Sequence, residues 1–483
     1  MHTLAAISSR LTEVLCELAR VEHLADLGIN GPLLASAGAD SLFHCLFGRD
    51  AIRMAMDLLD DFPSVARSTL VELARLQGVQ TNPNSEEEPG RILHEFRRPE
   101  DPHAIRLVEA GWEFPYFGAV DTTPNWINLL AAYTWRYGYD ILDQRLTDRL
   151  WRSITLRDSL LAAAAWIVGR LDDPCGSGFL WVRRSNPNGI ANQVWEDSPD
   201  SYHHADGAII DSSTRPYAPI AVQAYAYDAL MNAAELLAHS HESLVFEPAW
   251  LRDRAARLRA RVLAEFWQPD LATFAHAVTA EADGTLRSAR VVASAAGHVL
   301  DSMLLAGDDA QVFQERLMAR MLEPDLLGGA GIRTKSSTAP RFRAGAYHNG
   351  SVWPMDTGVI ADGLRRWGAV QAADNLESRI LAACRLTGCF PEFLRGDEDG
   401  RIAVNVNTID AMVDGAPNRL EQPPQVDQGW TATRVWRILR RRGLVGATTQ
   451  VKSVTSPATI TATAQIASTL THALRSTITP SRS

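Results

Sequence analysis

The sequence predicts an all-α fold, an (α/α)6 barrel in which six helical hairpins close into a toroid with their long loops at one end. Three observations predict it. About twelve stretches carry apolar residues at helical spacing and fall into consecutive pairs, whereas strand-like patches occur only near 178–183 and 273–288. Long connections alternate with short ones. Polar and aromatic residues collect in the connections that precede the first helix of a pair, which would gather them at one rim of a closed ring. An open α-solenoid has the same helical pattern and would be a binding scaffold instead.

The first helix is expected over 3–28, with Leu4, Ile7, Leu11, Val14, Leu15 and Leu18 on one face and a stop at Gly28. Phe47-Gly48-Arg49-Asp50 opens the next, which repeats at Ile52, Ala55, Met56 and Leu59, and its partner runs from about Pro63 to Gln77. Residues 78–122 form a long polar segment, and an irregular loop of that length inside a compact domain is usually functional. Further pairs are expected over 124–137 and 142–170, 216–239 and 247–266, and 291–305 and 309–321. Tyr347-His348-Asn349-Gly350-Ser351-Val352-Trp353-Pro354 opens a helix to about Trp367, whose partner covers 369–386 and stops at Gly388. A final helix follows Gln428-Gly429-Trp430. The barrel is thus expected over residues 1–445. From Gly446 to Ser483 there is no Asp or Glu, and Thr, Ser and Ala dominate, which predicts a disordered tail outside the fold.

A net charge of −10 over 483 residues argues against nucleic acid or an anionic membrane as a partner. Thirteen tryptophans suit flat, weakly polar ligands such as sugars, beside their ordinary use in cores. The five cysteines (Cys16, Cys45, Cys175, Cys384, Cys389) are odd in number, and the Cys384–Cys389 spacing matches no zinc or redox motif, so reduced thiols in a cytoplasmic protein are expected. No segment has the form of a signal peptide or the length of a membrane span.

The chemistry concentrates in residues 186–207. Glu196, Asp197, Asp200 and Asp206 lie there with Trp195, His203 and His204, and Pro187, Gly189, Pro199 and Gly207 mark the stretch as a loop. Its bland reading is a solvated acidic turn. Glycoside hydrolysis needs one protonated carboxyl near the leaving oxygen and one ionised carboxylate acting on water or on the sugar carbon. Asp197 is the candidate acid, since partial burial and neighbouring carboxylates would raise its pKa; Glu196 is the neighbour most easily mistaken for it. Glu392, sleeved by Pro391 and Phe393, is the candidate second carboxylate. Its bland reading is a helix cap or a partner of Arg395, and Glu421 is the fallback. Asp50 suits either a helix N-cap or a hydrogen-bond acceptor for sugar hydroxyls, with Arg49 fixing its orientation. His203, His204 and His348 complete no metal-ligand spacing, so neither metal nor organic cofactor is expected.

Seven motifs stand in order: Phe47-Gly48-Arg49-Asp50, residues 88–95, residues 120–124, residues 191–198, His204-Ala205-Asp206-Gly207, residues 347–354 and Phe390-Pro391-Glu392-Phe393. Together, over about residues 30–445, they resemble the catalytic barrel of bacterial amylo-alpha-1,6-glucosidase (glycogen-debranching-type) proteins. More distantly they resemble the clan of processing α-glucosidases and mannosylglycerate or glucosylglycerate hydrolases. The resemblance implies inverting hydrolysis of an α-glucosidic bond, with Asp197 as general acid and Glu392 as general base. It implies a sugar subsite with Arg49 and Asp50 in it, Trp195 and Trp353 as its walls, and His94, Glu95, Asp121, Gln193, His204, Asp206, His348 and Asn349 as further substrate-binding positions. Glu196, Met355 and Ala221 stand where such proteins usually carry Lys, His and Glu, and the segment from Gly396 to Val426 is longer and more polar. The β-rich domain that usually precedes the barrel is not in this sequence, so a small glucoside or short oligosaccharide is expected at least as much as glycogen. The rivals are a glycoside phosphorylase on the same barrel and an inactive carbohydrate-binding barrel.

Overall fold

The computed structural model describes residues 2–21, 24–26, 31–38, 41–172, 178–239, 247–281, 283–395, 407–413, 416–422 and 424–445. Its α-helices are α1 (Leu4–Ala19), α2 (Gly48–Leu58), α3 (Pro63–Arg75), α4 (Pro102–Glu109), α5 (Thr122–Tyr137), α6 (Leu156–Leu171), α7 (Ile220–Ala238), α8 (Pro248–Glu265), α9 (Gln311–Met321), α10 (Pro354–Arg366), α11 (Val370–Thr387) and α12 (Gly429–Arg441). The expected tail, 446–483, lies outside the described residues, as does Cys175.

Burial sorts the helices into two layers. α2 buries Arg49, Asp50, Ile52, Met54, Asp57 and Leu58 alike, and α5, α7, α10 and α12 are likewise enclosed on more than one face. Such helices belong inside. α1 and α8 bury only a stripe: Ile7, Leu11, Val14, Leu15 and Leu18 on the first, and Leu251, Ala255, Leu258 and Val262 on the second. Contacts run from α2 to α5, α7, the 3-10 segment Ser294–Asp301, α10 and α12, then back to α2, so the inner ring is closed. Behind these six stand α3, α6, α8, α9, α11 and α1, in that order. The molecule is an (α/α)6 barrel, and an open solenoid is excluded because its first and last inner helices would not meet.

Several boundaries differ from the sequence expectation, each for a local reason. α1 ends at Ala19 because Arg20 takes a left-handed conformation (φ 56°) and returns its N–H to the Cys16 and Glu17 carbonyls. α1 also has no helix beside it in sequence to pair with; its barrel partner is α12, at the other end of the chain. The segment expected as one helix over 142–170 begins with an antiparallel hairpin, Arg145–Thr147 with Ser153–Thr155. A Thr155/Asp158 capping box then starts α6. The helix expected over 291–305 is a run of 3-10 turns, Ser294–Asp301 and Met303–Leu305. The long polar segment holds a short helix, α4, capped by Asp101. Residues Tyr217–Pro219, Ala277–Ala280 and Leu286–Ala289 form a three-stranded antiparallel sheet, and Asn407–Val413 pairs with Ala416–Gln422 as a hairpin. Among the described residues no helix is long and apolar enough to cross a membrane, and Cys16, Cys45, Cys384 and Cys389 are free thiols.

Candidate active site

The inner helices place their first turns around one hollow. Phe47, Arg49 and Asp50 at the start of α2, Trp353 before α10, and Gln428 and Trp430 at the start of α12 line one cleft. Phe43, His94, Trp195, Asp197, Tyr347 and Glu392 complete it from the loops. Glycine is required before Arg49: a Cβ on Gly48 would stand 2.3 Å from the Leu93 carbonyl oxygen. The Gly350 backbone (φ 153°) lies so close to the Arg343 carbonyl that a Cβ would approach its oxygen to 2.2 Å. The N-cap of α2 is Phe47, Asp50 stands in the first turn, and its carboxylate accepts the Gln428 amide at 3.0 Å. The N-cap reading of Asp50 is therefore set aside.

The two carboxylates singled out in the sequence, far apart in the chain, both face this cleft. Burial pushes the Asp197 carboxyl up; Arg49 pulls it down, Glu392 and Asp121 push it up again, and it comes to about 7. Its side chain keeps about a third of its surface open, toward the cleft. Burial likewise lifts Glu392 to about 7, against hydrogen bonds from Tyr347 O–H (2.5 Å) and Gln425 N–H (3.0 Å), one on each carboxylate oxygen. Both bonds favour the ionised form. Asp50, buried beside Arg49 and close to Glu392 and Asp197, is also raised to about 7. Arg49 is the one cation lining the cleft among the described residues. It donates to Asp121 through Nε (2.8 Å) and Nη2 (3.2 Å) and stands 4.0 Å from Asp197.

The aromatic wall is a packed set. Trp195 meets Trp353 and His348 edge-on and stacks on His298; Trp353 stacks on His348 and meets Trp430 edge-on. Burial lowers the His348 imidazole to about 3, so it is neutral, and its Nδ1 lies 3.0 Å from the Ser198 hydroxyl. Asn349 donates to the Asp200 carbonyl at 2.9 Å. Past Arg49, Asp121 and Trp195, a smaller hollow is lined by Arg53, Asn125, Tyr225, His298 and Met355. A larger one, near Arg20, His44, Cys45 and Arg98, reaches neither Asp197 nor Glu392.

Not every expected position touches the cleft. Gln193 is buried beneath it, accepting from Arg91 at 2.7 Å, and Glu95 is buried against Arg97. His348 and Asn349 brace the acidic loop from behind. His204 is buried at a turn near Arg287, and Asp206 is exposed there, 3.2 Å from Arg287. None of these positions lines the cleft. Glu196 is neither exposed nor in the cleft: buried, yet paired with His276 and Lys335, it is held well below the usual carboxylate range. Glu421 falls on the hairpin Asn407–Val413/Ala416–Gln422, opposite Thr408. Among the described residues no cluster of His, Cys, Asp and Glu could hold a metal ion.

Sequence reasoning missed Tyr347, Gln428 and Trp430 as cleft residues, and Gln425 as a donor to Glu392. Gln428-Gly429-Trp430 carries the same signal as the other rim segments, a polar and an aromatic residue at the start of an inner helix.

The family described as the mannosylglycerate hydrolase MGH1-like glycoside hydrolase domain matches residues 114–401. No curated protein matches the chain. Among solved structures, a GH63 mannosylglycerate hydrolase from Thermus thermophilus in complex with Tris is similar over 90% of this chain and 100% of that one, at 15% identity and TM-score 0.58. The same enzyme in complex with glucose matches at 15% identity and TM-score 0.55, over 89% and 99% of the two chains. A protein described as a wild-type glycosidase matches at 14% identity and TM-score 0.53, over 92% and 98%. The family match supports the more distant of the two resemblances drawn from the motifs, at the level of the mannosylglycerate hydrolase clan.

Proposed function

This chain belongs to the mannosylglycerate hydrolase MGH1-like glycoside hydrolase family, and from that membership we propose that it is an inverting α-glycosidase acting on small α-glycosides. Glucosides are the expected class, glycerate glycosides of glucose or mannose the first to try, and α-1,6-linked oligosaccharides the next. One observation carries the reading: Asp197 and Glu392 line one cleft walled by Trp195, Trp353 and Trp430. Glu392, whose two oxygens each accept a hydrogen bond, is the base that takes a proton from water. Asp197 is the acid that gives its proton to the leaving oxygen, with Arg49 held beside it by Asp121. Asp50 and Gln428 face the space between and suit sugar hydroxyls. In an inverting site the carboxyl groups stand roughly 6.5–9.5 Å apart, which leaves room for the water.

The test is a hydrolysis screen against maltose, isomaltose, limit dextrin, trehalose, glucosylglycerate and mannosylglycerate, with product anomers followed by NMR. The expected first product of an α-glycoside is the β-anomer. Initial release of the α-anomer means a retaining mechanism, a sugar 1-phosphate formed only with added phosphate means a phosphorylase, and binding without turnover means a carbohydrate-binding barrel.

A further inference from the structure

Directly behind Asp197 the chain buries a charge that the cleft does not use. The Glu196 side chain is wholly enclosed. One of its oxygens takes the Lys335 ammonium; the other takes His276 Nε2 at 2.7 Å and the Tyr202 hydroxyl at 3.1 Å. Lys335, equally enclosed, also donates to the His348 carbonyl at 2.9 Å. Its backbone is strapped on both sides: residue 335 bridges Ala293, the Thr334 N–H meets the Ser351 carbonyl at 2.9 Å, and the Ser336 N–H meets the Val292 carbonyl at 3.0 Å. The anchor is therefore rigid.

The thing anchored is not rigid by itself. Residues 191–201 contain no helix or strand, so the placement of Asp197 depends on side-chain ties. Asn192 and Ser201 tie the turn internally, through Asn192 to the Ser198 carbonyl (2.7 Å) and Ser201 to the Glu196 carbonyl (2.6 Å). Glu196 and its partners join that turn to the rest of the barrel. An apolar side chain at 196 would fill the space with little angular preference. A buried carboxylate is tolerable only when its hydrogen bonds are satisfied in one geometry, and that geometry fixes the orientation of the next residue.

We propose that Glu196 and Lys335 are positioning residues for the general acid, a buried ion pair that orients the loop so that the Asp197 carboxyl meets the leaving oxygen. The proposal rests on the reading of Asp197 as the acid. Its test uses the leaving group. In a glycosyl fluoride the C1–F bond breaks as water oxygen bonds to C1; fluoride departs without a proton, and the water proton goes to Glu392, so no acid is needed. Glu196→Gln, Lys335→Met and the double variant, which leaves no lone buried charge, are compared with the parent on α-D-glucosyl or α-D-mannosyl fluoride and on the matching glycerate glycoside.

The expected result is a kcat on the glycerate glycoside lowered about 100-fold, with KM, and kcat on the fluoride, each within about threefold of the parent. Equal loss on both substrates, or no loss on either, overturns the proposal. If a single variant fails to fold, the double variant decides by the same comparison. Asp197→Asn serves as the reference: if it too loses both substrates equally, the acid assignment itself falls. If Asp197→Asn spares the fluoride while the 196 and 335 variants do not, only the positioning role is lost.

Discussion

The two ends of the inner ring treat buried carboxylates in opposite ways. Near the last turns of α2, α10 and α12, Asp57 and Asp362 are surrounded by cations. Arg434 reaches Asp57 at 2.9 Å and also pairs with Asp362; Arg437 reaches them at 3.1 and 3.2 Å, and Arg441 reaches Asp362 at 3.0 Å. Burial pushes the Asp362 carboxyl up, but Arg434 and Arg437 outweigh it and hold it below the usual range. At the cleft end, Asp50, Asp197 and Glu392 face a single arginine that is already committed to Asp121, and all three rise to about 7. One end spends its charges on holding the ring closed. The other leaves carboxyls short of counter-charge, the condition that acid–base chemistry near neutral pH needs.

That contrast can be broken by substitution. Asp197→Asn and Glu392→Gln should each lower kcat about a thousandfold while the fold persists, the range expected for loss of a general acid or base; steady-state kinetics with circular dichroism checks both. Arg434→Met should do the reverse. It leaves Asp57 and Asp362 with less counter-charge and should cost about 3–5 kcal/mol in denaturant unfolding, with KM little changed. Tyr347→Phe removes a donor to ionised Glu392. Its acidic limb in the pH–rate profile should move upward and kcat near neutrality fall about tenfold, the size of one hydrogen bond to a charged group.

The smallest effect sharpens the comparison through pH. Asp50, at about 7 when folded, lies above its unfolded value of about 4. Its contribution to stability is fully present below the unfolded pKa and is lost as pH rises through the folded one. Asp50→Asn should therefore gain on the parent by about 2 °C in Tm between about pH 5 and pH 8, measured by thermal melts. A parallel shift at both pH values would show that Asp50 is not raised.

The ring was legible in the sequence because its helical stretches fall into consecutive pairs joined by alternating long and short connections. Its rim was legible because Asp197 and Glu392 sit in irregular segments that lack any packing period, and Arg49 and Trp353 stand where inner helices begin. What could not be read was partnership. Nothing in the spacing says that Arg49 is held by Asp121, that Glu196 turns inward to Lys335, or that His348 and Asn349 brace a loop from behind. His204 and Asp206 share the acidic loop with Asp197 but do not line the cleft, and a turn separates them from it, the Ser201 N–H returning to the Ser198 carbonyl at 3.2 Å. The 3-10 run at Ser294–Asp301 has the apolar spacing of a helix, and that spacing does not separate the two helix types; the run takes the inner-ring place between α7 and α10.

The pairing of α1 with α12 has a consequence for how the molecule comes into being. The apolar stripe of α1 is covered only when α12, about 400 residues further along the chain, packs against it, and the same α12 brings Gln428 and Trp430 to the rim. A nascent chain can stack the intervening hairpins one by one, yet it owns no finished pocket until its closing helix arrives. Closure of the ring and completion of the cleft are thereby one event, and removal of α12 would undo both in the same step.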